Sequence, residues 1–103
     1  MSPAHAFERL ATHSVEDFAG RVGEVFRVAE PPLELHLEQV DELGAAPGPG
    51  RPQPFSLLFR GPAAHLLAQG IHSLENPGLG PLAIFLVPVS SDGQIAHYEA
   101  VFN

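Results

Sequence analysis

The chain has 103 residues, 45% of them hydrophobic, and a formal charge of −7 from 12 acidic and 5 basic residues. That length makes one domain, able to bury roughly 60 to 68% of the surface its unfolded form exposes. An acidic field repels phosphate backbones, and the five Arg (Arg9, Arg21, Arg27, Arg51, Arg60) are scattered, so nucleic acid and anionic membranes are excluded as partners, while the absence of Cys excludes disulfides, thiolate nucleophiles and Cys-based zinc sites.

Residues 1–13 read as a lead-in with Phe7 and Leu10 as its sizeable apolar groups. Met1 to Phe7 has neither a basic n-region nor an apolar h-region, and the longest apolar run falls far short of a membrane span, so a cytoplasmic protein is expected. Ser14-Val15-Glu16-Asp17-Phe18 carries a helix start: Ser14 suits an N-cap, the acidic pair sits where the helix dipole favours it, and Asp17 occupies the Glu position of a capping box. Gly20 and Gly23 limit the helix to one or two turns, with Phe18 and Val22 expected in the core.

Glu24 to Glu30 is rich in β-branched and aromatic residues and stops at Pro31-Pro32, which predicts a first strand. Leu33-Glu34-Leu35-His36-Leu37-Glu38 alternates with period two, three Leu on one face and Glu34, His36 and Glu38 on the other. The phase breaks at Gln39-Val40, predicting a β-bulge or a strand end near Asp41. Residues 44–54 are a Gly/Pro/Ala stretch without apolar anchors and are expected to be an exposed loop.

Phe55 to Arg60 predicts a strand with Phe55, Leu57 and Phe59 inward, closed by Gly61-Pro62. Ala63 to Leu67 fits a helical turn or a loop. Gln69 to Glu75 resumes alternation, and Asn76-Pro77-Gly78-Leu79-Gly80 is dense turn chemistry. The unbroken apolar run from Leu82 to Val89 reads as a strand buried on both faces. It is joined by the turn Ser90-Ser91-Asp92-Gly93 to a return arm, Gln94 to Phe102. In that arm Ile95, His97, Glu99 and Val101 share one face and Ala96, Tyr98, Ala100 and Phe102 the other, which is expected in the core beside Phe85. The whole predicts a mainly β chain: a small antiparallel β-barrel or two-layer sandwich of about six strands with one short N-terminal helix.

Several stretches together resemble a known family: Asp17-Phe18 followed by Val22-Gly23-Glu24-Val25-Phe26, Pro54 to Pro62, Gln69-Gly70, Leu79 to Val89 and the closing Tyr98-Glu99-Ala100-Val101-Phe102-Asn103. The chain resembles a bacterial family of small single-domain proteins of unknown function, often encoded near tail-collar-domain proteins of phage-like or microcystin-dependent type. The resemblance implies association with such proteins and transfers no catalytic residue. His72, where relatives tend to carry an aromatic, and the Pro-rich 44–54 loop depart from the family pattern.

Six His without Cys raise a metal site, yet no pair has helical i, i+4 or strand HxH spacing. A site would need His36, His72 and His97 brought together with Glu34 or Glu99; surface histidines are expected instead, with no metal and no cofactor. Ser90, Ser91 and Asp92 near His97 hold the letters of a hydrolytic triad without a G-x-S-x-G elbow, so no enzyme is expected. Glu34 with Glu38 and Asp41 with Glu42 read as solvated strand-face carboxylates, and Gly78-Leu79-Gly80 as a turn rather than a phosphate cradle.

Arg60 and Glu99, each set in a strongly strand-like segment, are expected to form a cross-strand ion pair at the barrel's end. The sharper alternative is a partner-binding rim of Arg60, Gln69, His72 and Glu99. The expected function is a non-enzymatic β-domain acting through protein contact, as an accessory or assembly module of phage-tail-like proteins, with a tail-collar-like protein or a second copy of the chain as partner. A small-ligand-binding barrel is the alternative, and a hydrolase or metal enzyme ranks third.

Overall fold

Ser14 to Asp17 nucleate helix α1, Val15–Ala19, in the computed structural model, which describes residues 13–44 and 48–102. Asp17 Oδ2 accepts the Ser14 N–H at 2.9 Å, closing the return half of a capping box. Phe18 is fully buried, but Val22 is 54% exposed: the helix ends at Ala19, so Val22 lies outside its periodicity and Val15 takes the second core position instead. The predicted lead-in lies outside the described residues up to Thr12; His13 packs edge-on against Phe18 with ring centroids 5.8 Å apart.

Six strands follow: β1 Val25–Val28, β2 Leu33–Glu42, β3 Phe55–Pro62, β4 Gly70–Asn76, β5 Gly80–Ser91 and β6 Ile95–Phe102. All pairings are antiparallel, and the order β1-β2-β3-β6-β5-β4 closes on itself through β1 and β4, so the fold is a barrel rather than a sandwich. The phase break in β2 is a register shift between Leu37 and Gln39, where the expected bulge lies. Alternation sends Leu35, Leu37, Phe55, Leu57, Phe59, Ala96, Tyr98 and Ala100 inward, where with Phe26, Leu74, Ile84 and Leu86 they fill the interior.

The order forces β3 to connect to β4 across one end of the barrel, because β6 and β5 stand between them. Residues 63–69 make that crossing as turn and loop, without a helix; Leu67 is buried and its N–H donates to the Tyr98 hydroxyl at 2.9 Å. At the opposite end, where β3 begins and β6 ends, Phe18 closes the interior against Phe26, Phe55 and Phe102.

One expectation is corrected here. The apolar run in β5 is covered on one face only: Leu82, Ile84 and Leu86 are buried, whereas Phe85 is 44% and Val89 49% exposed. A closed single-layer barrel has an inside but no second layer, so the outward half of the run meets solvent. Where the 44–54 stretch closes, Gln53 Nε2 donates to the carbonyls of Leu43 and Pro54 at 3.0 and 3.1 Å, and the Leu43 N–H donates to the Pro54 carbonyl at 2.8 Å. Gly48 to Pro52 remain exposed.

The β5–β6 turn is held by Asp92, whose Oδ1 accepts the N–H groups of Ile95 and Gln94 at 2.8 and 2.9 Å while Gly93 takes a φ of 93°. Those amides, Ile95 first, hold the Asp92 carboxyl below its ordinary range. The folded state therefore favours the carboxylate. Its contribution is present above the ordinary carboxylate range and is lost as pH falls through the lowered folded value. An Asp92→Ala variant should melt a few degrees below the parent at neutral pH, and the gap should close in strong acid, about pH 2. Melting curves across that range check it; a gap independent of pH would mean the turn is held without the carboxylate. No helix among the described residues is long and apolar enough to cross a membrane.

Candidate functional site

With the interior filled by side chains, the chemistry of this barrel lies on its outer face. The ladder places His36 opposite Arg60, Arg60 opposite His97, and His97 opposite Ser90, a polar row across β2, β3, β6 and β5. Glu38 reaches into the row, with Oε2 3.6 Å from Arg60 Nε and Oε1 3.0 Å from His97 Nε2. Glu99, the partner expected for Arg60, stands opposite Leu58 and Val87 instead. Register sets Arg60 against His97, and Glu38 supplies the carboxylate. Arg60 and Glu38 are 47% and 39% exposed, so this pair contributes under about 1 kcal/mol.

Ser90 Oγ lies 3.2 Å from His97 Nδ1, so Ser90, His97 and Glu38 form a hydrogen-bonded chain. With Nε2–H donated to Glu38, Nδ1 is left to accept the serine proton, the connectivity of a nucleophile–base–acid relay. The acid is not the Asp92 of the sequence pattern, which binds the turn amides instead. Ser90 is exposed on a strand just past the register shift at Pro88, rather than on a strand-to-helix elbow, and Glu38 is shared with Arg60. The chain ties β2 and β5 to β6 over the top of β3.

Beside the row, at the end of the barrel crossed by residues 63–69, a cleft of about 550 Å³ opens between the β1–β2 turn and the end of β3. Pro32, Leu33, Pro62 and Ile95 give it apolar walls, and His36, Arg60 and His65 line it with polar groups. Gly61 also lines it: a Cβ there would lie 2.5 Å from Cδ2 of the buried Leu35, so a larger residue would have to displace that side chain.

Of the four rim residues expected from sequence, Arg60 and Glu99 lie on the outer face of the neighbouring strands β3 and β6. Gln69 and His72 lie at the start of β4, beyond β5, and His72 Nε2 is 2.7 Å from the Ala68 carbonyl. They do not form one rim. His36, His72 and His97 sit on three different strands, and among the described residues no group of three His, Cys, Asp or Glu side chains is placed to hold a metal.

A second surface lies on β4 and β5. Ile71, 57% exposed, stands directly opposite Phe85, with the half-buried Val87 two residues along β5. Glu99 faces Val87 from β6, and farther along β4 Glu75 stands opposite Arg27 of β1. Sequence reading missed this surface because it placed Phe85 in the core; the signal was Ile71 and Phe85 sharing outward parity with Ser73 and Glu75 once β4 and β5 are paired.

Residues 13–102 match the family Domain of unknown function (DUF6916), and the chain belongs to that family. Comparison with curated proteins found no match. Comparison with solved structures found none either.

Proposed function

We propose that this member of the DUF6916 family is a non-enzymatic contact domain, a rigid barrel that holds another protein against its outer face as an accessory or assembly module. The observation that carries the reading is the exposed Ile71–Phe85 pair, two large apolar side chains facing each other across β4 and β5. Two such residues in water are a cost that burial against a partner removes, at roughly 25 cal/mol per Å² of apolar area. Glu99 and the net charge of −7 favour a partner whose apolar contact is bordered by Lys or Arg. The resemblance to proteins encoded near phage tail-collar-like genes supplies the partner class, a tail-collar-like protein of a bacterial phage-tail-like assembly.

The experiment is binding of the purified domain to that collar-like protein, measured for the parent and for Phe85→Glu. Expected is a complex that weakens at least tenfold in the variant while the melting curve is unchanged, since Phe85 faces outward. Equal binding by both proteins, or a parent that forms only a complex with itself in sedimentation, would remove the reading. The same preparations address the hydrolytic alternative: the parent should hydrolyse p-nitrophenyl acetate no faster than Ser90→Ala. A serine-dependent rate would make the Ser90–His97–Glu38 chain an enzyme site.

The cleft beside Arg60 favours a second reading, a small-ligand-binding barrel that uses its outer end rather than its filled interior.

A further inference from the structure

We infer that the cleft beside Arg60 binds a carboxylate carried on an apolar body, at a surface separate from the Ile71–Phe85 face. The guanidinium is the starting point. Its Nε leans on Glu38 at 3.6 Å, a long contact, while Nη1 and Nη2 make no hydrogen bond among the described residues. A planar fork with its terminal nitrogens open matches the two oxygens of a carboxylate. His36 and His65 line the same cleft, and their ring nitrogens likewise have no hydrogen-bond partner among the described residues, which places two further donors beside the fork.

The rest of the cleft states what the carboxylate is attached to. A volume of about 550 Å³ is much more than one carboxylate occupies and falls within the range of small-molecule sites, about 300 to 1,000 Å³. Pro32, Pro62 and the β-branched Ile95 are stiff and Leu33 adds apolar surface, so an aliphatic or aromatic body is desolvated there at small entropic cost.

Charge selects a monoanion. Glu34 also lines the cleft but is held by Arg27 at 3.3 Å, and Glu38 already offsets part of Arg60. One arginine in a protein of net charge −7 suits one carboxylate, whereas a phosphate dianion would meet the repulsion of the whole chain. The carboxylate could arrive on a free organic acid or at the C-terminus of a peptide; both present the same group to Arg60.

The test uses the full chain, isotope-labelled, with two matched pairs of probes: 3-phenylpropionate against 3-phenylpropionamide, and acetyl-Ala-Ala-Phe with a free or an amidated end. Expected are saturable amide shifts at Leu33, Gly61, Gln94 and Ile95 with the acids, and at least about tenfold weaker binding of the amides and of acids to Arg60→Gln, the loss of a charge-assisted pair. Glu38→Gln removes the competing carboxylate and should bind the acids more tightly than the parent. This opposite shift keeps the test decisive should Arg60→Gln fold poorly. Which acid binds tighter identifies the source, free acid or chain end. Amides that bind as well as acids, a folded Arg60→Gln with parental affinity, a Glu38→Gln variant that binds no better, or shifts that do not saturate would each overturn the assignment.

Discussion

Deleting Val101 to Asn103 should leave a chain that is largely molten, with its near-ultraviolet circular dichroism lost and its melting transition broad. Phe102 pairs with Phe55 and stacks on it with centroids 4.5 Å apart and planes 4° from parallel, and lies 5.7 Å from Phe18. Phe18 and Phe55 are almost wholly buried, so removing Phe102 uncovers the end of the interior as well as losing its own contacts. Val101 leaves with its pairing to Ser56, and the start of β3 loses its β6 neighbour. Truncating a core Phe costs about 3 to 5 kcal/mol. Phe102 is half-buried, which lowers its own share, and the uncovered Phe18 and Phe55 raise the total. Against a stability of about 5 to 15 kcal/mol for a domain this is a large fraction. An unchanged melting midpoint would show that α1 alone seals this end. The ring against which Phe102 was expected to pack, Phe85, takes no part because it faces out of the barrel.

The second large effect is expected at Asn76, a fully buried polar residue at the end of β4. Its Nδ2 donates to Glu24 Oε1 and to the Val25 carbonyl, both at 3.1 Å, and its Oδ1 accepts the N–H groups of Gly78 and Leu79 at 2.9 and 3.1 Å. One amide thus shapes the β4–β5 turn and ties it to the entry of β1. In Asn76→Ala the Leu79 N–H keeps the Asn76 carbonyl, but the exposed Gly78 N–H and the half-buried Val25 carbonyl lose their side-chain partner. A buried group left unpaired costs about 1 to 3 kcal/mol, and with water able to reach the Gly78 N–H a loss of roughly 1 to 3 kcal/mol is expected. Asn76→Asp keeps the acceptor but sets a carboxylate against Glu24 and the Val25 carbonyl, and should be no better. Urea unfolding reads the result as a lower midpoint at constant slope. A loss under about 1 kcal/mol for the alanine variant would mean that water replaces the amide.

These residues mark the boundary between what the chain states locally and what closure decides. The alternations Leu33-Leu35-Leu37, Phe55-Leu57-Phe59 and Ala96-Tyr98-Ala100 were legible because a strand's two faces are fixed by its own backbone, one side chain up and the next down. The phase break at Gln39 was legible in the alternation of β2 itself, and the Asp92-Gly93 turn and the Ser14–Asp17 cap because each is completed by residues a few positions away. The candidate site was legible only as residue types. Arg60 stood out, but its neighbours Glu38 and His97 come from β2 and β6, and no property of β3 names them.

The apolar run of β5 shows the limit most plainly. A continuous run has no phase, so whether its second face is covered depends on layers that other strands provide; here a single closed layer leaves Phe85 bare. Asn76 read as turn chemistry because its turn partners, Gly78 and Leu79, are adjacent, while its other two, Glu24 and Val25, lie 52 and 51 residues earlier. The sequence by itself determined six strands, the inward faces of the alternating ones and the turns, because those follow from the alternating geometry of one extended backbone. The tertiary structure alone decided that the sheet closes, that Arg60 opens onto a cleft and that Ile71 meets Phe85, because strand neighbours are chosen by the register of the closed sheet and not by any strand within it.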